Sequence, residues 1–245
     1  MKRHIPNLIT LLNLLCGCIA TVFAVSNRLE LAAAFVFLGI FFDFFDGMAA
    51  RILDVKSELG LQLDSLADMV TSGLVPGIVM YQLLLMSHSG GWNSEMVQTS
   101  ATLLTEMPWL PFFGFVITLA SAYRLANFNL DENQVSSFIG LPTPANALLI
   151  LSFPLILLYH NNDIMNGIIL NEWFLIGITL LSAYLLNAPI ALFALKFKNW
   201  GFKDNALRYV FIAVSLILII TLRYMAIPAI IAFYILSSLI SGLAA

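Results

Sequence analysis

Charged residues are scarce in this sequence. Asp, Glu, Lys and Arg together make up 10% of the 245 residues, whereas 60% are hydrophobic, and the mean hydropathy is +0.94. This composition excludes an ordinary soluble domain and indicates a polytopic membrane protein. The formal net charge of −3 gives no basic surface, so we expect no nucleic-acid partner.

Cysteine and histidine are also rare. Cys16 and Cys18 lie two positions apart in an apolar segment, so the chain has neither a disulfide framework nor a zinc pattern. The three histidines, His4, His88 and His160, are scattered at expected helix ends and loops, as polar edge residues are. The short basic start is followed by no convincing cleavage site, so we expect no cleaved signal peptide.

Long apolar runs fill the rest of the chain. A membrane-spanning helix needs about 20 predominantly apolar residues, and we predict an all-α membrane helix bundle forming one domain over residues 1–245. Pro76 and Gly77 are expected to kink the third segment. The eight predicted segments are 7–26, 29–53, 58–86, 107–128, 141–159, 173–195, 207–224 and 226–243.

Basic residues predict the orientation of the bundle. With the N-terminus inside, two basic residues, Arg28 and Arg223, fall on the outer side, and the positive-inside rule favours this topology. We therefore expect a multi-pass protein of the cell membrane with its N-terminus and its polar site on the cytosolic side. The basic residues on that side are Lys2, Arg3, Arg51, Lys56, Lys196, Lys198, Lys203 and Arg208.

Asp43, Asp46, Asp64 and Asp68 stand in apolar sequence, on either side of a polar break that contains Asp54. Asp43 and Asp46 are three residues apart, and Asp64 and Asp68 are four apart, so each pair lies on one face of a helix. The polar break 53–57 separates the pairs. We predict two antiparallel helices joined by a short turn, with the carboxylate pairs facing each other near that turn.

Converging carboxylates in an apolar setting repel one another and resist desolvation. Bound divalent cations relieve both effects, and hard oxygen ligands suit Mg²⁺ or Mn²⁺. Gly47, Ala50 and Gly60 keep the same region small, and Arg51 could meet a phosphate, so the segment favours a diphosphate substrate. The alternative is a polar hairpin whose acids pair with basic groups. Only Arg51 and Lys56 are near six acidic residues, which argues against it.

The same segment, from Asp43 to Asp68, reads D-x2-D-G-x2-A-R-x8-G-x3-D-x3-D. This resembles the signature of the CDP-alcohol phosphotransferase family, with every fixed position occupied. The resemblance implies a six-helix membrane core, here about 5–196, and transfer of a substituted phosphate from a CDP-linked donor to an alcohol, with release of CMP. The last two segments, about 207–243, would be additional helices.

The resemblance also implies roles for individual residues. Two divalent ions would be held by Asp43, Asp46, Asp64 and Asp68, and Asp68 would also act as the general base. Other side chains would bind the CDP group. Asn7 and Thr10 belong to this set because related enzymes carry a similar Pro-Asn-x-x-Thr start, although Asn7 could instead be a helix cap. The expected CDP-binding residues are Asn7, Thr10, Gly47, Ala50, Arg51 and Gly60.

Four further blocks are similar to bacterial family members that use L-serine as the acceptor and CDP-diacylglycerol as the donor. They are 5–17, 63–70, 123–129 and 138–145. One departure is Thr71-Ser72-Gly73, where Ser-Phe-Gly is expected. Arg124 is the only basic residue of the fourth segment, which suits a single serine carboxylate better than the phosphate of glycerol phosphate. A snorkelling anchor at the membrane interface is the alternative for Arg124.

Other functions stay open at this point. Within the same family, glycerol phosphate or an inositol phosphate could be the acceptor. Intramembrane prenyltransferases also bind metal and diphosphate through aspartates, but their two motifs lie in distant halves of the chain. An ion transporter would not require the Gly, Ala and Arg residues at these spacings. A homodimer is a further prediction that the sequence does not decide.

Overall fold

The structure is a computed structural model that describes residues 4–55, 57–89, 108–130, 138–160, 162–193 and 201–243. Within these ranges ten α-helices, α1–α10, form a bundle, and a two-stranded pairing of two residues each is the one sheet. The prediction of an all-α membrane helix bundle is confirmed. Five of the basic residues behind the predicted orientation, Lys2, Arg3, Lys56, Lys196 and Lys198, lie outside the described residues.

The N-terminal part of the bundle is a run of apolar helices separated by tight turns. Asn27 and Asp54 have φ angles of 56° and 52° in the two turns, a left-handed conformation that Asn and Asp tolerate. Ser57 then caps the third helix, since its hydroxyl accepts a hydrogen bond from the Gly60 backbone N–H at 3.1 Å. The helices are α1 (His4–Val25), α2 (Leu29–Ile52), α3 (Glu58–Asp68) and α4 (Val75–Ser89).

A π-helical turn, Met69–Leu74, joins α3 to α4. This backbone irregularity lies just before Pro76 and Gly77, and the kink expected at these residues stays a prediction. Proline has no N–H to donate, and its ring clashes with the carbonyl four residues earlier, which here belongs to Ser72. The wider π turn accommodates both effects, so the third segment continues through Pro76 as an apolar stretch from Glu58 to His88.

The middle of the chain begins with a 3-10 turn, Leu110–Phe115, which leads into α5 (Val116–Leu130). Strand β1 (Phe138–Ile139) precedes α6, and Pro144 lies in the first turn of that helix, a position that suits proline. The stretch between the predicted segments 141–159 and 173–195 contains the short helix α7. The remaining bounds are α6 (Thr143–Tyr159), α7 (Asp163–Ile169), α8 (Glu172–Asn187) and β2 (Ala191–Leu192).

The sixth predicted segment was expected to run to residue 195, but α8 ends at Asn187. Pro189 disfavours a helical conformation for the residue before it, and Ala188 is extended with a ψ of 142°. The chain beyond it forms β2, which pairs antiparallel with β1 through Phe138–Leu192 and Ile139–Ala191. The helix break therefore brings the end of α8 against the segment that enters α6.

The C-terminal helices are α9 (Phe202–Leu222) and α10 (Ala226–Leu243), linked by the 3-10 turn Arg223–Met225. The apolar stretch Asn205–Ile240 has 36 residues, far more than one crossing of a 30 Å hydrocarbon layer requires. The rings of Phe211 and Phe233 stack with centroids 5.8 Å apart, so the two helices fold back on each other as a hairpin.

The core lies where α4 and α6 meet the surrounding helices. Met80, Leu84, Ile150 and Leu151 have no exposed surface, whereas α1, α2 and α9 present many exposed apolar side chains. Contact with lipid requires exposed apolar faces of this kind. Together with several apolar helices of sufficient length, they indicate a multi-pass membrane protein. Spans of sufficient length and hydropathy are α1, α2, Glu58–His88 and Asn205–Ile240, with α7 and α8, bent by 57°, as a fifth and α6 as a shorter apolar helix.

Candidate functional site

Three carboxylates come together where α2 ends and α3 begins. One oxygen each of Asp43, Asp46 and Asp64 lies within 4.8 Å of the other two. This is the predicted arrangement, because the turn after Ile52 reverses the chain and sets the faces of the two helices opposite each other. The spacing of the aspartates in the sequence is therefore converted into one compact acidic group, which we call the acidic cluster.

The acidic cluster has no protein counter-ion among the residues that the structure describes. There, the one recorded ion pair is His88 with Glu172, outside the cluster. Asp46 is only 6% exposed, and its Oδ2 atom has no hydrogen-bond partner among the described residues. Burying a carboxylate without a partner is costly. Oxygen ligands at this separation are the donor set that a hard divalent cation takes, so the three aspartates could hold such an ion.

Asp68 stands slightly apart from this group. It ends α3, is 8% exposed, and accepts a hydrogen bond from Asn13 Nδ2 at 3.2 Å. It still lies within electrostatic reach of Asp43 and Asp64. The fourth predicted acid is thus at the site but is held by α1, a partner that the aspartate spacing does not indicate.

A cavity of about 700 Å³ opens beside the acidic cluster. It lies between the start of α1 and the α2–α3 turn, and Phe128 from α5 closes one side. All six residues predicted to bind CDP line this cavity, together with two of the cluster acids. The eight are Asn7, Thr10, Gly47, Ala50, Arg51, Gly60, Asp46 and Asp64. Their predicted location is therefore correct, while their role in binding stays a prediction.

Small residues keep the cavity open. A Cβ atom added at Gly47 would meet nothing closer than Arg51 Nη2 at 3.7 Å, so packing does not require glycine there. Arg51 Nε donates to the Gly47 carbonyl at 2.9 Å, which holds the guanidinium along the cavity wall. At Gly60 a Cβ would come within 3.2 Å of Asn7 Oδ1. The side chain of Asn7 therefore reaches the α3 wall across the cavity.

The start of α1 contributes its polar side chains from within the helix. Asn7 lies inside α1, past its first described residue, so it is not the N-cap that the alternative interpretation required. Thr10 is 3% exposed, and its hydroxyl donates to the Pro6 carbonyl at 3.1 Å. Both residues line the cavity, so α1 supplies part of its wall beside the acidic cluster.

Arg124 has backbone partners. Its Nη1 group donates to the carbonyls of Ile139 and Leu186, each at 2.7 Å. These carbonyls belong to β1 and to the last turn of α8, so the guanidinium joins α5 to both. Arg124 does not line the cavity described above, but Phe128, one helical turn further along α5, does. The predicted contact with a serine carboxylate stays a prediction.

The structure also reveals supporting residues that the sequence argument did not assign to the site. Asn13 reaches Asp68, and Ser65 donates to Asn129 Oδ1 at 3.0 Å, which ties α3 to the end of α5. Asn13 continues the three-residue spacing of Asn7 and Thr10, and Asn129 ends the block 123–129. These spacings were the only signals for them, because both contacts join residues more than 50 positions apart.

The fold and the acidic cluster match what comparison of whole sequences finds. The chain belongs to the CDP-alcohol phosphatidyltransferase family, whose pattern matches residues 3–185. The family assigned from the aspartate signature is therefore confirmed. The match covers most of the predicted core, while the exact bounds of the domain, residues 1–245 with a core of about 5–196, stay a prediction.

Individual relatives narrow the similarity. The chain is 35% identical over 157 residues to the CDP-diacylglycerol–serine O-phosphatidyltransferase of Bacillus subtilis, covering 62% of this chain and 76% of that protein. It is 30% identical over 178 residues to the protein of the same name from Methanocaldococcus jannaschii, covering 73% and 71%. For the Helicobacter pylori J99 protein of that name the identity is 32% over 147 residues, and the chain spans about half of its length, 54%.

Proposed function

We propose that this protein transfers the phosphatidyl group of CDP-diacylglycerol to the hydroxyl of L-serine, giving phosphatidylserine and CMP. The observation that carries the proposal is the acidic cluster, without a protein counter-ion in the described part, at the wall of a cavity lined by small residues and Arg51. A diphosphate with divalent cations would satisfy both the acids and the open space. Relatives that bear the name of this activity support serine as the acceptor.

The residues divide the work between binding and chemistry. Asn7, Thr10, Gly47, Ala50, Arg51 and Gly60 would surround the CDP group. Asp43, Asp46, Asp64 and Asp68 would hold two divalent ions, Mg²⁺ or Mn²⁺. When bound, these ions would neutralise the diphosphate and the departing CMP. Asp68 would accept the serine hydroxyl proton as that oxygen bonds to the phosphatidyl phosphorus and the bond to the CMP oxygen breaks.

Arg124 would bind the serine carboxylate. Its Nη1 group is already directed at two backbone carbonyls, which fixes the guanidinium plane. Arginine has five N–H donors, and the edge formed by Nε and Nη2 can form two parallel hydrogen bonds with a carboxylate. The anchoring contacts therefore fit a prepared binding group as well as a structural one. Kinetics must separate these two roles.

The membrane setting completes the proposal. The diacylglycerol chains would lie in the bilayer beside the exposed apolar faces of the helices. Serine would enter from the cytosol, because the distribution of basic residues favours a site on the cytosolic side of the membrane. A homodimer remains a prediction without a structural argument for it. Accessibility labelling of single cysteines placed at Asp54 and Arg28, on opposite ends of α2, would test the orientation in intact cells.

The experiment for the proposed function uses the purified full chain in detergent or lipid. CDP-diacylglycerol is supplied with Mn²⁺ or Mg²⁺, and CMP release is measured with L-serine, glycerol 3-phosphate, inositol phosphate or no alcohol. We expect release that depends on serine, with phosphatidylserine as the lipid product. Release with another alcohol but not with serine would overturn the acceptor, and no release with any alcohol would overturn the transferase activity.

A further inference from the structure

Helix α1 contacts the end of α3 and the π turn that follows it through buried polar atoms. Asn13 has no exposed surface, and its Nδ2 group donates to Asp68 Oδ1 at 3.2 Å. The backbone carbonyl of the same residue accepts a hydrogen bond from Thr71 Oγ1 at 3.1 Å, and Thr71 is 1% exposed. Asn13 is therefore bound at both its side chain and its backbone to the segment that carries Asp68.

The helices around this contact pack so closely that Gly17 and Gly39 have no room for a side chain. A Cβ atom added at Gly17 would collide with the Thr71 hydroxyl and lie 3.0 Å from its backbone nitrogen. At Gly39 on α2, a Cβ would lie 2.7 Å from Thr71 Cγ2 and 2.9 Å from Asn13 Oδ1. Thr71, which stands where the resemblance leads one to expect serine, thus fills a space that two glycines create. This fit fixes α1 against the π turn that follows Asp68.

The chemistry of the amide sets its orientation. The ionised Asp68 carboxylate has acceptors and no donor, so an amide that turned its oxygen toward it would place two acceptors together. The Nδ2 group must therefore face the carboxylate. Asn13 Oδ1, on the other side, is buried without a hydrogen-bond partner among the described residues. Burying an amide oxygen without a partner costs free energy of folding. An asparagine at this position therefore indicates that its donor group has a function.

We propose that Asn13 is a positioning residue for Asp68, and that Thr71 holds Asn13 in place. The inference rests on the proposed function, since it assumes that the Asp68 carboxylate meets the acceptor alcohol. Asn13 occupies Oδ1 and fixes the rotation of the carboxylate, which leaves Oδ2 to receive the proton. Loss of a group that orients a catalytic or metal-binding side chain typically lowers activity or metal affinity by about 10–100-fold.

The test is a double-mutant cycle with Asn13→Ala and Asp68→Asn. In single-turnover assays with saturating CDP-diacylglycerol and serine, Asn13→Ala alone should slow the reaction by about 10–100-fold. In the Asp68→Asn background the same change should cost less than about threefold, because Asn13 acts only through Asp68. Mn²⁺ affinity, measured by electron paramagnetic resonance without substrates, should follow the same non-additive pattern.

Thr71→Val provides a second variant that keeps the shape of the side chain. It should slow turnover by several-fold and also lose its effect when Asp68 is Asn. Ser152→Ala and Thr179→Val are matched controls, since each removes a buried hydroxyl whose hydrogen bond, among the described residues, is to a carbonyl of its own helix. Both should retain full activity at a similar melting temperature.

The two levels of the proposal fail in different ways. Additive losses, in which Asn13→Ala costs the same with Asp68 and with Asn at position 68, would overturn the positioning role while the wild-type activity stands. Absence of serine-dependent CMP release by the wild-type protein would instead overturn the proposed function.

Discussion

The acidic cluster and the junction where Arg124 joins α5 to β1 and α8 both hold charged side chains that are at least partly buried, but the two regions give those charges different partners. Asp46 keeps a buried oxygen without a partner, and nothing basic lies against it in the described part of the chain. Arg124 donates to two backbone carbonyls, one in β1 and one in the last turn of α8. A buried carboxylate oxygen that the protein leaves without a partner indicates a ligand, whereas a partly buried cation that binds backbone carbonyls also stabilises the fold.

Glycines repeat the same contrast. Gly47 beside the acids has open space where a Cβ would be. Gly140 has a φ of +72°, and a Cβ there would lie 2.5 Å from the Leu186 carbonyl and 2.8 Å from Arg124 Nη1. One glycine leaves room in a cavity, and the other allows two segments to meet. The predictions below test this division between a site built for a ligand and a junction built for the fold.

The largest effect is expected from the acidic cluster. Asp43→Asn or Asp64→Asn should reduce CMP release below detection, because each removes an anionic ligand for the divalent ions. Excess chelator should do the same to the wild type, with recovery on adding Mn²⁺ or Mg²⁺. Asp54→Asn is the matched control, since Asp54 is exposed in the α2–α3 turn and outside the cluster. Full turnover in excess chelator would contradict the metal assignment.

Asp68→Asn should have the next largest effect. Loss of a general base lowers turnover by about 10²–10⁴-fold. CDP-diacylglycerol binding should persist in part, because Asp43, Asp46 and Asp64 remain grouped. Initial rates with each substrate varied, together with a direct binding measurement for CDP-diacylglycerol, check this split. Turnover close to that of the wild type would exclude Asp68 as the base.

The third prediction tests whether Arg124 binds serine or only stabilises the junction of α5 with β1 and α8. Arg124→Lys keeps the charge but loses the fork, so the KM for serine should rise more than the KM for CDP-diacylglycerol. Arg124→Ala should be worse in the same direction. Both changes also remove backbone hydrogen bonds, so the melting temperature must be measured in parallel. Arg28→Lys and Arg28→Ala, at an exposed position on α2's opposite end, provide the controls.

A purely architectural Arg124 predicts a different pattern. The melting temperature would fall in Arg124→Lys while the KM for serine stayed unchanged, and the residue would then be removed from the serine site. A phosphate-binding Arg124 would instead raise the KM for CDP-diacylglycerol first. Steady-state kinetics with each substrate varied in turn separates these results.

The smallest effects come from the paired glycines. Gly47→Ala should leave the protein as stable or stabilise it by about 0.5–1 kcal/mol, since alanine favours a helix interior. It should raise the KM for CDP-diacylglycerol several-fold by narrowing the cavity. Gly140→Ala should instead lower the free energy of unfolding by about 1–2 kcal/mol, because residue 140 has a left-handed backbone conformation that alanine disfavours. Thermal unfolding and kinetics of both variants would refute the contrast if Gly47→Ala proved the less stable.

The sequence was sufficient wherever the information is local. The 10% of charged residues and the apolar runs predicted a membrane bundle, and the intervals between Asp43, Asp46 and Asp64 predicted their meeting across a short turn. Helical periodicity depends only on the order of neighbouring residues, so both inferences needed no knowledge of distant contacts. The sequence also indicated part of the helix irregularity, since Pro76 predicts a disturbed helix and the π turn Met69–Leu74 lies just before it.

Only the tertiary structure decided which distant groups meet. Asn13 lies 55 residues before Asp68, and Arg124 lies 62 residues before Leu186, so no spacing rule connects them. The end of α8 at Asn187 and its return toward Ile139 likewise depend on how the helices pack. These contacts arise because close packing leaves each buried polar group a single set of neighbours, and that set is fixed by the whole bundle rather than by any one segment.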